Sequence, residues 1–347
     1  MTDRMPDDSA IECHNLWKIF GAREHEALSA AKNGEVDKEE ALKRFGCVIG
    51  VADASFSVSQ GEIFCIMGLS GSGKSTIIRH VNRLIEPTAG QIYVEGRDVM
   101  GLDKHELREM RARKIGMVFQ HMALWPHKTI AENVAFGLEV QKTPKNRRRA
   151  AAEDALARVG LGGWGDRYPD QLSGGMQQRV GLARAMAADP DILLMDEPFS
   201  ALDPLIRNEL QDEFLSLSRK MNKTTLFITH DLDEAMKMGN RIAIMKDGRI
   251  DQTDTPENIV LRPASDYVAR FVSSISTLKH LSASEIMVAG DTAAGVPSFG
   301  PSTSLPTLLE AFSKGADEIA IKDGEALLGR IGRPEILEAL RSDLARV

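Results

Sequence analysis

Eight residues constrain the fold of this chain more than any others. Gly68-Leu69-Ser70-Gly71-Ser72-Gly73-Lys74-Ser75 fits the pattern G-x-x-x-x-G-K-S/T. The short apolar run Ile63–Met67 before it has buried-strand character, and the residues from Ser75 to Ile85 after it read as a helix. Glycines let backbone N–H groups close around phosphate oxygens, and the N-terminus of the following helix adds a favourable dipole. A glycine-rich turn with a chance lysine is the bland alternative, and the strand–loop–helix setting argues against it. The expected phosphate contacts are Gly68, Ser70, Gly71, Gly73, Lys74, Ser75 and Thr76. Lys74 would bridge the β- and γ-phosphates, and the Ser75 hydroxyl would ligate Mg²⁺. The expected ligand is a nucleotide, ATP foremost.

The rest of the chain supports an α/β fold. Ile115–Phe119, Ile192–Met195 and Thr225–Thr229 are further short apolar runs, separated by helical stretches. Strands alternating with helices predict a mostly parallel sheet with right-handed crossovers. Residues 22–47 differ: they are rich in Ala, Glu and Lys and predict two short helical pieces broken at Asn33-Gly34. With 347 residues there is room for two domains. No apolar run is long enough to span a membrane, and the first ten residues lack the apolar core of a signal peptide. Three cysteines without C-x-x-C spacing suggest neither a disulfide framework nor a zinc site. A net charge of −7 argues against a general nucleic-acid binder.

Ile192–Met195 ends in two carboxylates, Asp196 and Glu197. At the carboxyl end of a sheet they would stand beside the phosphate loop. One can hold the magnesium shell while the other polarises a water for in-line attack on the γ-phosphate. Downstream of the phosphate loop come Gln120 after an apolar strand, Leu172-Ser173-Gly174-Gly175-Met176, Asp196-Glu197, Ser200-Ala201-Leu202-Asp203 and His230. In order and approximate spacing these resemble the motifs of the ATP-binding cassette (ABC) ATPases over roughly residues 11–262, with Met176 where the family usually has glutamine.

The resemblance implies the cassette fold: a RecA-like core with a mostly parallel sheet, an antiparallel β part, and a helical subdomain at about 121–188. It also implies roles. Glu197 resembles the general base, His230 the switch histidine at the γ-phosphate, and Gln120 the residue reaching magnesium and the attacking water. Asp196 and Ser75 would complete the metal shell with Gln120. Phe20 sits where the family stacks an aromatic ring on adenine. Ser173, Gly174 and Gly175 would close over the nucleotide of a facing cassette, and Asp203 would communicate across that dimer. With one motif set, the chain needs a second copy or a partner cassette, a homodimer being the simpler reading.

Longer stretches, including 82–99, 120–139 and 199–214, resemble the ATPases of glycine betaine, proline betaine and choline importers. This implies separate transmembrane permease subunits, a substrate-binding protein acting indirectly, and a peripheral place on the cytoplasmic face of the plasma membrane. Met122, Leu124 and Trp125 are expected to face the permease, Trp125 being open between that role and packing. Importers of histidine or proline, and soluble cassettes acting on ribosomes or DNA, remain as alternatives. The soluble cassettes typically carry two motif sets or a long coiled-coil insertion, and neither is seen here. The expected organisation is a tail at 1–10, the cassette at 11–262 with its helical insertion at 22–47, a link at 263–282, and one module resembling a cystathionine-β-synthase (CBS) domain at 283–347. That module is read as regulatory or as inert packing.

Overall fold

Two twelve-residue strands, β1 (Ser9–Phe20) and β2 (Val48–Ser59), pair antiparallel, with Ile19 opposite Ile49 and Phe20 opposite Val48. The computed structural model describes residues 9–120, 123–272, 281–293, 295–324 and 326–344. His121 and Met122 lie outside these, as do residues 1–8 of the expected tail and 273–280 of the expected link. Ser9 and Ala10, expected in the tail, instead begin β1. Ala10 is buried, and its carbonyl accepts the Glu95 N–H, so the strand gains a partner there.

The β1–β2 connection is not a tight turn. It holds two helices, α1 (Glu24–Lys32) and α2 (Lys38–Phe45). Gly34, with φ +74°, follows the end of α1. Asp37 and Glu40 form a reciprocal cap at the start of α2, and Gly46 closes it in the left-handed conformation. β4 (Ala89–Val94) covers the other edge of β1, and β5 (Arg97–Asp98) completes an antiparallel sheet of order β2-β1-β4-β5.

The second layer is parallel. β3 (Ile63–Gly68), β6 (Ile115–Val118), β7 (Ile192–Asp196) and β8 (Thr224–Thr229) lie in the order β3-β8-β7-β6. Every residue of β3, β7 and β8 is buried, which is why they read as unbroken apolar runs rather than alternating ones. α3 (Lys74–Val81) leaves β3, and α4 (Lys104–Arg113) precedes β6. A helical region follows: α5 (Ile130–Val134), α6 (Phe136–Val140), α7 (Lys145–Arg158) and α8 (Gly174–Ala187). Asn133, fully buried in α5, ties down the segment before it: its amide donates to the Trp125 carbonyl and its oxygen accepts the Trp125 N–H. Trp125 itself stays 42% exposed, with its ring tilted against Phe136. α9 (Pro204–Met221) returns the chain to β8.

The chain divides into two compact units, Met1–His230 with Met245–Ile250, and Asp231–Ile244 with Asp251–Val347. The hairpin of β9 (Arg241–Lys246) and β10 (Arg249–Asp254) runs through both, and α10 (Leu232–Met238) lies in the second. The division falls earlier in the chain than the link expected at 263–282.

The second unit continues with α11 (Pro256–Leu261), α12 (Asp266–Val272) and α13 (Ala283–Ile286). It ends in β11 (Ser298–Phe299), α14 (Leu305–Ser313), β12 (Glu318–Asp323), β13 (Ala326–Gly332) and α15 (Arg333–Leu344). β11 and β12 are parallel, and β12 and β13 antiparallel. Leu305, Leu308 and Phe312 of α14 are buried, as are Ile319, Ile321 and Ile331.

Candidate active site

All four parallel strands deliver a site residue at their carboxyl ends, where open α/β sheets hold ligands. β3 leads into the phosphate loop, β6 into Gln120, β7 into Glu197 and β8 into His230. Sequence positions more than a hundred apart are thereby brought together.

Two glycines of the phosphate loop, Gly68 and Gly73, leave no room for a side chain. A Cβ on Gly68 would lie 2.3 Å from the Met245 carbonyl oxygen, and one on Gly73 would lie 2.2 Å from the Gly50 carbonyl oxygen. Gly68, Gly71 and Gly73 all have positive φ. Lys74 is buried at the start of α3, and its ammonium donates to the Gly68 carbonyl at 2.8 Å and the Leu69 carbonyl at 3.0 Å. Burial lowers the Lys74 pKa, opposed by the charges of Glu197 and Asp196. The Ser72 hydroxyl is buried and has no hydrogen-bond partner among the described residues. A buried orphan oxygen is costly, and an anion or its water shell is what this position accommodates. Ser70 and Gly71 are exposed, and Thr76 lies in the first turn of α3 with its N–H donating to the Gly73 carbonyl.

Asp196 is fully buried and accepts a hydrogen bond from the Ser75 hydroxyl at 2.9 Å. Arg79 of α3 approaches its other oxygen at 3.5 Å. Burial raises the Asp196 pKa, with the Ser75 hydrogen bond and the Arg79 charge acting the other way. Next to it, Glu197 has φ +50°, a backbone state that L-residues rarely adopt. Two groups converge on one of its carboxylate oxygens: the Gln120 amide at 3.2 Å and the His230 Nδ1 at 3.2 Å. The carboxylate is thus held from two strands' ends while remaining partly accessible, with 16% of the side chain exposed.

Ser173 caps α8, accepting the Met176 N–H, and both Ser173 and Gly174 are exposed. The contacts of this segment run to the loop after Glu197. Gln178, buried in α8, donates to the Glu197 carbonyl and accepts the Ala201 N–H, and a Cβ on Gly175 would meet Leu202 at 3.2 Å. Asp203 is exposed and caps α9. Phe20 stands at the edge of β1, 41% exposed, with Lys18 over its ring at 5.2 Å. A side chain at Gly50 would strike that ring, so Gly50 clears space for it.

Arg79, Gln178 and Ser72 were not singled out from the sequence. Arg79 lies at a helical spacing behind Ser75 that is equally consistent with a solvated face. Gln178 acts through a loop brought near only by the fold. Ser72 is one of several small residues of the motif, and only its burial marks it.

Residues 51–200 match the family described as ABC transporter. The chain is 47% identical over 336 residues to the glycine betaine/carnitine transport ATP-binding protein GbuA of Listeria monocytogenes, covering 97% of this chain and 84% of that protein. It is 51% identical over 302 residues to the glycine betaine/proline betaine transport system ATP-binding protein ProV of Escherichia coli, covering 86% and 75%. It is 43% identical over 337 residues to the trimethylamine N-oxide transport system ATP-binding protein TmoW of Ruegeria pomeroyi, covering 97% and 98%. Among solved structures, the dimeric ATP-binding cassette MJ0796 in a post-hydrolysis state with ADP and phosphate aligns with a TM-score of 0.61. That alignment has 31% identity and covers 71% of this chain and 98% of that one. The cassette ATPase fold expected from the motifs is therefore borne out, and the chain belongs to the ATP-binding proteins of ABC transporters, which are ATPases.

Proposed function

We propose that this ATPase powers uptake of a small solute with a fully substituted, formally cationic nitrogen, such as glycine betaine, proline betaine or choline. The observation that carries the catalytic half is the convergence of Gln120 and His230 on Glu197, beside the Ser75–Asp196 pair. Glu197 is positioned to take the proton of the attacking water. Gln120 and His230 orient its carboxylate and can sense the γ-phosphate, and Lys74 leaves the Gly68 and Leu69 carbonyls to meet the phosphates. Phe20 offers its exposed ring to adenine. Ser75 and Asp196, with Gln120 nearby, are hard oxygen donors that suit Mg²⁺. When bound, the ion would neutralise charge on the β- and γ-phosphate oxygens.

Ser173 and Gly174, exposed at the α8 N-terminus, with the half-buried Gly175 beside them, would close over the nucleotide of a facing copy, with Asp203 at the same seam. The dimeric state of the structural neighbour supports this reading. Leu124 and Trp125 would dock a permease subunit, which places the chain peripherally on the cytoplasmic face of the membrane. Consistent with that, no helix among the described residues is long and apolar enough to cross a membrane. The helix–strand–strand–helix order of α14, β12, β13 and α15 supports one CBS-like module at 283–347.

Trimethylamine N-oxide is a second reading for the solute. The relative named for it matches this chain almost end to end, whereas the E. coli betaine protein is matched over 75% of its length. The test is uptake of radiolabelled glycine betaine, choline, trimethylamine N-oxide and histidine in cells lacking the chain, restored by the native gene or by E197Q. Uptake of one of the first three that returns only with the native gene is the expected result. Restoration of histidine uptake alone would refute the solute class.

A further inference from the structure

The helical insertion between β1 and β2 has no part in the chemistry described so far, yet it touches the phosphate loop. It is anchored rather than loose: Ala27, Ala31 and Ala41 pack into one buried cluster with Trp17, Ile19 and Ile49. Alanines on the buried face let both helices lie close to the sheet. The start of α2 is fixed by its reciprocal cap, in which Asp37 accepts the Glu40 N–H at 2.8 Å and Glu40 accepts the Asp37 N–H at 3.3 Å. Lys38 is therefore the first residue of a capped helix on a packed base. Its ammonium donates to the Gly71 carbonyl at 3.2 Å.

Of Gly68, Gly71 and Gly73, Gly71 has the open surroundings. Its φ is +76°, and the space its Cβ would enter is empty to 4 Å. Lys74 holds the Gly68 and Leu69 carbonyls, and the N–H of the Gly71–Ser72 peptide donates to the Leu69 carbonyl, so Lys38 adds the hold on the carbonyl end of that same peptide. We propose that the insertion is a brace for the phosphate loop, and that Lys38 is a positioning residue for nucleotide binding. By holding the Gly71 carbonyl it restricts rotation of the Gly71–Ser72 peptide before the nucleotide arrives. Binding then loses less conformational freedom. The restraint acts before any step that distinguishes ATP from ADP, so it should strengthen both alike and leave the chemical step unchanged.

The inference rests on the phosphate loop being the nucleotide site. The experiment measures Kd for ATP and ADP by calorimetry, and kcat, on the full chain and on K38M, K38R and K74A. One partly exposed charge-assisted hydrogen bond corresponds to about three- to tenfold in affinity. K38M should therefore weaken both nucleotides by about that factor, with kcat at saturating ATP within about twofold of native. K38R should recover most of the affinity, because it keeps a charged donor. Native affinity in K38M, or K38R as weak as K38M, would overturn the brace. So would a K38M defect that vanishes at about 0.5 M salt, which would mark long-range attraction instead. If the native chain bound no nucleotide, or K74A bound as tightly as native, the nucleotide site itself would be misplaced, a result distinct from failure of the brace.

Discussion

Glu197 and Asp196 are adjacent in sequence but differ in environment, and the difference suits them to the separate roles proposed for them. Glu197 keeps part of its side chain accessible and is held by Gln120 and His230. Replacing it with Gln preserves size and hydrogen bonding but removes the proton acceptor. A general base contributes roughly 10²–10⁴-fold, about 3–5 kcal/mol of barrier. E197Q should lose that much ATPase activity while still binding ATP, and should accumulate as a dimer with ATP and Mg²⁺ on size-exclusion chromatography. A near-native rate would remove Glu197 from the role of base.

Asp196 is buried, and burial holds its pKa above the usual carboxylate value. A carboxyl that binds its proton more tightly in the folded chain stabilises the fold at pH below the unfolded-state value. That contribution is lost as pH rises through the folded value. At neutral pH the buried charge is a burden that Ser75 and Arg79 only partly offset. D196N should therefore raise the unfolding temperature of the nucleotide-free chain at pH 8 and change it little near pH 4. It should also abolish stabilisation by MgATP. Equal shifts at both pH values, or a lower unfolding temperature at pH 8, would contradict this account.

At the scale of elements, the phosphate loop separates two uses of glycine. Gly73 has φ +102°, and a Cβ there would lie 2.2 Å from the Gly50 carbonyl oxygen, which belongs to the backbone of β2 and cannot turn aside. Gly71 also has positive φ but open space around it. G71A should cost only the left-handed conformation, about 1–2 kcal/mol, and retain nucleotide binding. G73A should force β2 and the loop apart, losing nucleotide binding along with a larger share of thermal stability. Thermal melts with and without ATP compare the two directly, and an unaffected G73A would contradict the close approach of loop and strand.

The loop was legible because its chemistry is local: glycines, lysine and serine at fixed spacing between a strand and a helix. Asp196, Glu197, Gln120 and His230 were legible through their order along the chain, although composition could not bring them together. The break at Asn33-Gly34 was legible from turn chemistry. Lys38 on Gly71, Arg79 on Asp196 and Gln178 beneath Glu197 were not, because each depends on which surface of a helix the fold turns inward. Ser9 and Ala10 were read as tail because a polar, acid-rich start hides a strand edge that only its partners stabilise.

At the scale of the whole molecule, the site and the C-terminal tail, residues 283–347, belong to different compact units. Every candidate nucleotide and metal residue, from Phe20 to His230, falls in the first. The second holds that tail together with α10, α11 and α12, so a cut after about residue 275 removes α13 to α15 but also divides that unit. Its remaining helices were packed with the removed part: Val260 and Val272 line a cavity of about 700 Å³ together with Leu309 of α14. Exposing such apolar surface costs stability in proportion to its area, at about 25 cal/mol per Å². The truncated chain should therefore melt earlier and more broadly than the full chain, yet bind ATP with a Kd within about twofold of native, because no group proposed to contact nucleotide is removed. If the tail is regulatory, the dependence of uptake on osmolarity or ionic strength should change on truncation while maximal uptake persists. If it is inert packing, that dependence should be unchanged and only stability should fall. Loss of ATP binding in a truncated chain that remains folded by circular dichroism would show that the second unit holds the nucleotide site in shape, and the separation of catalysis from the tail would then be wrong.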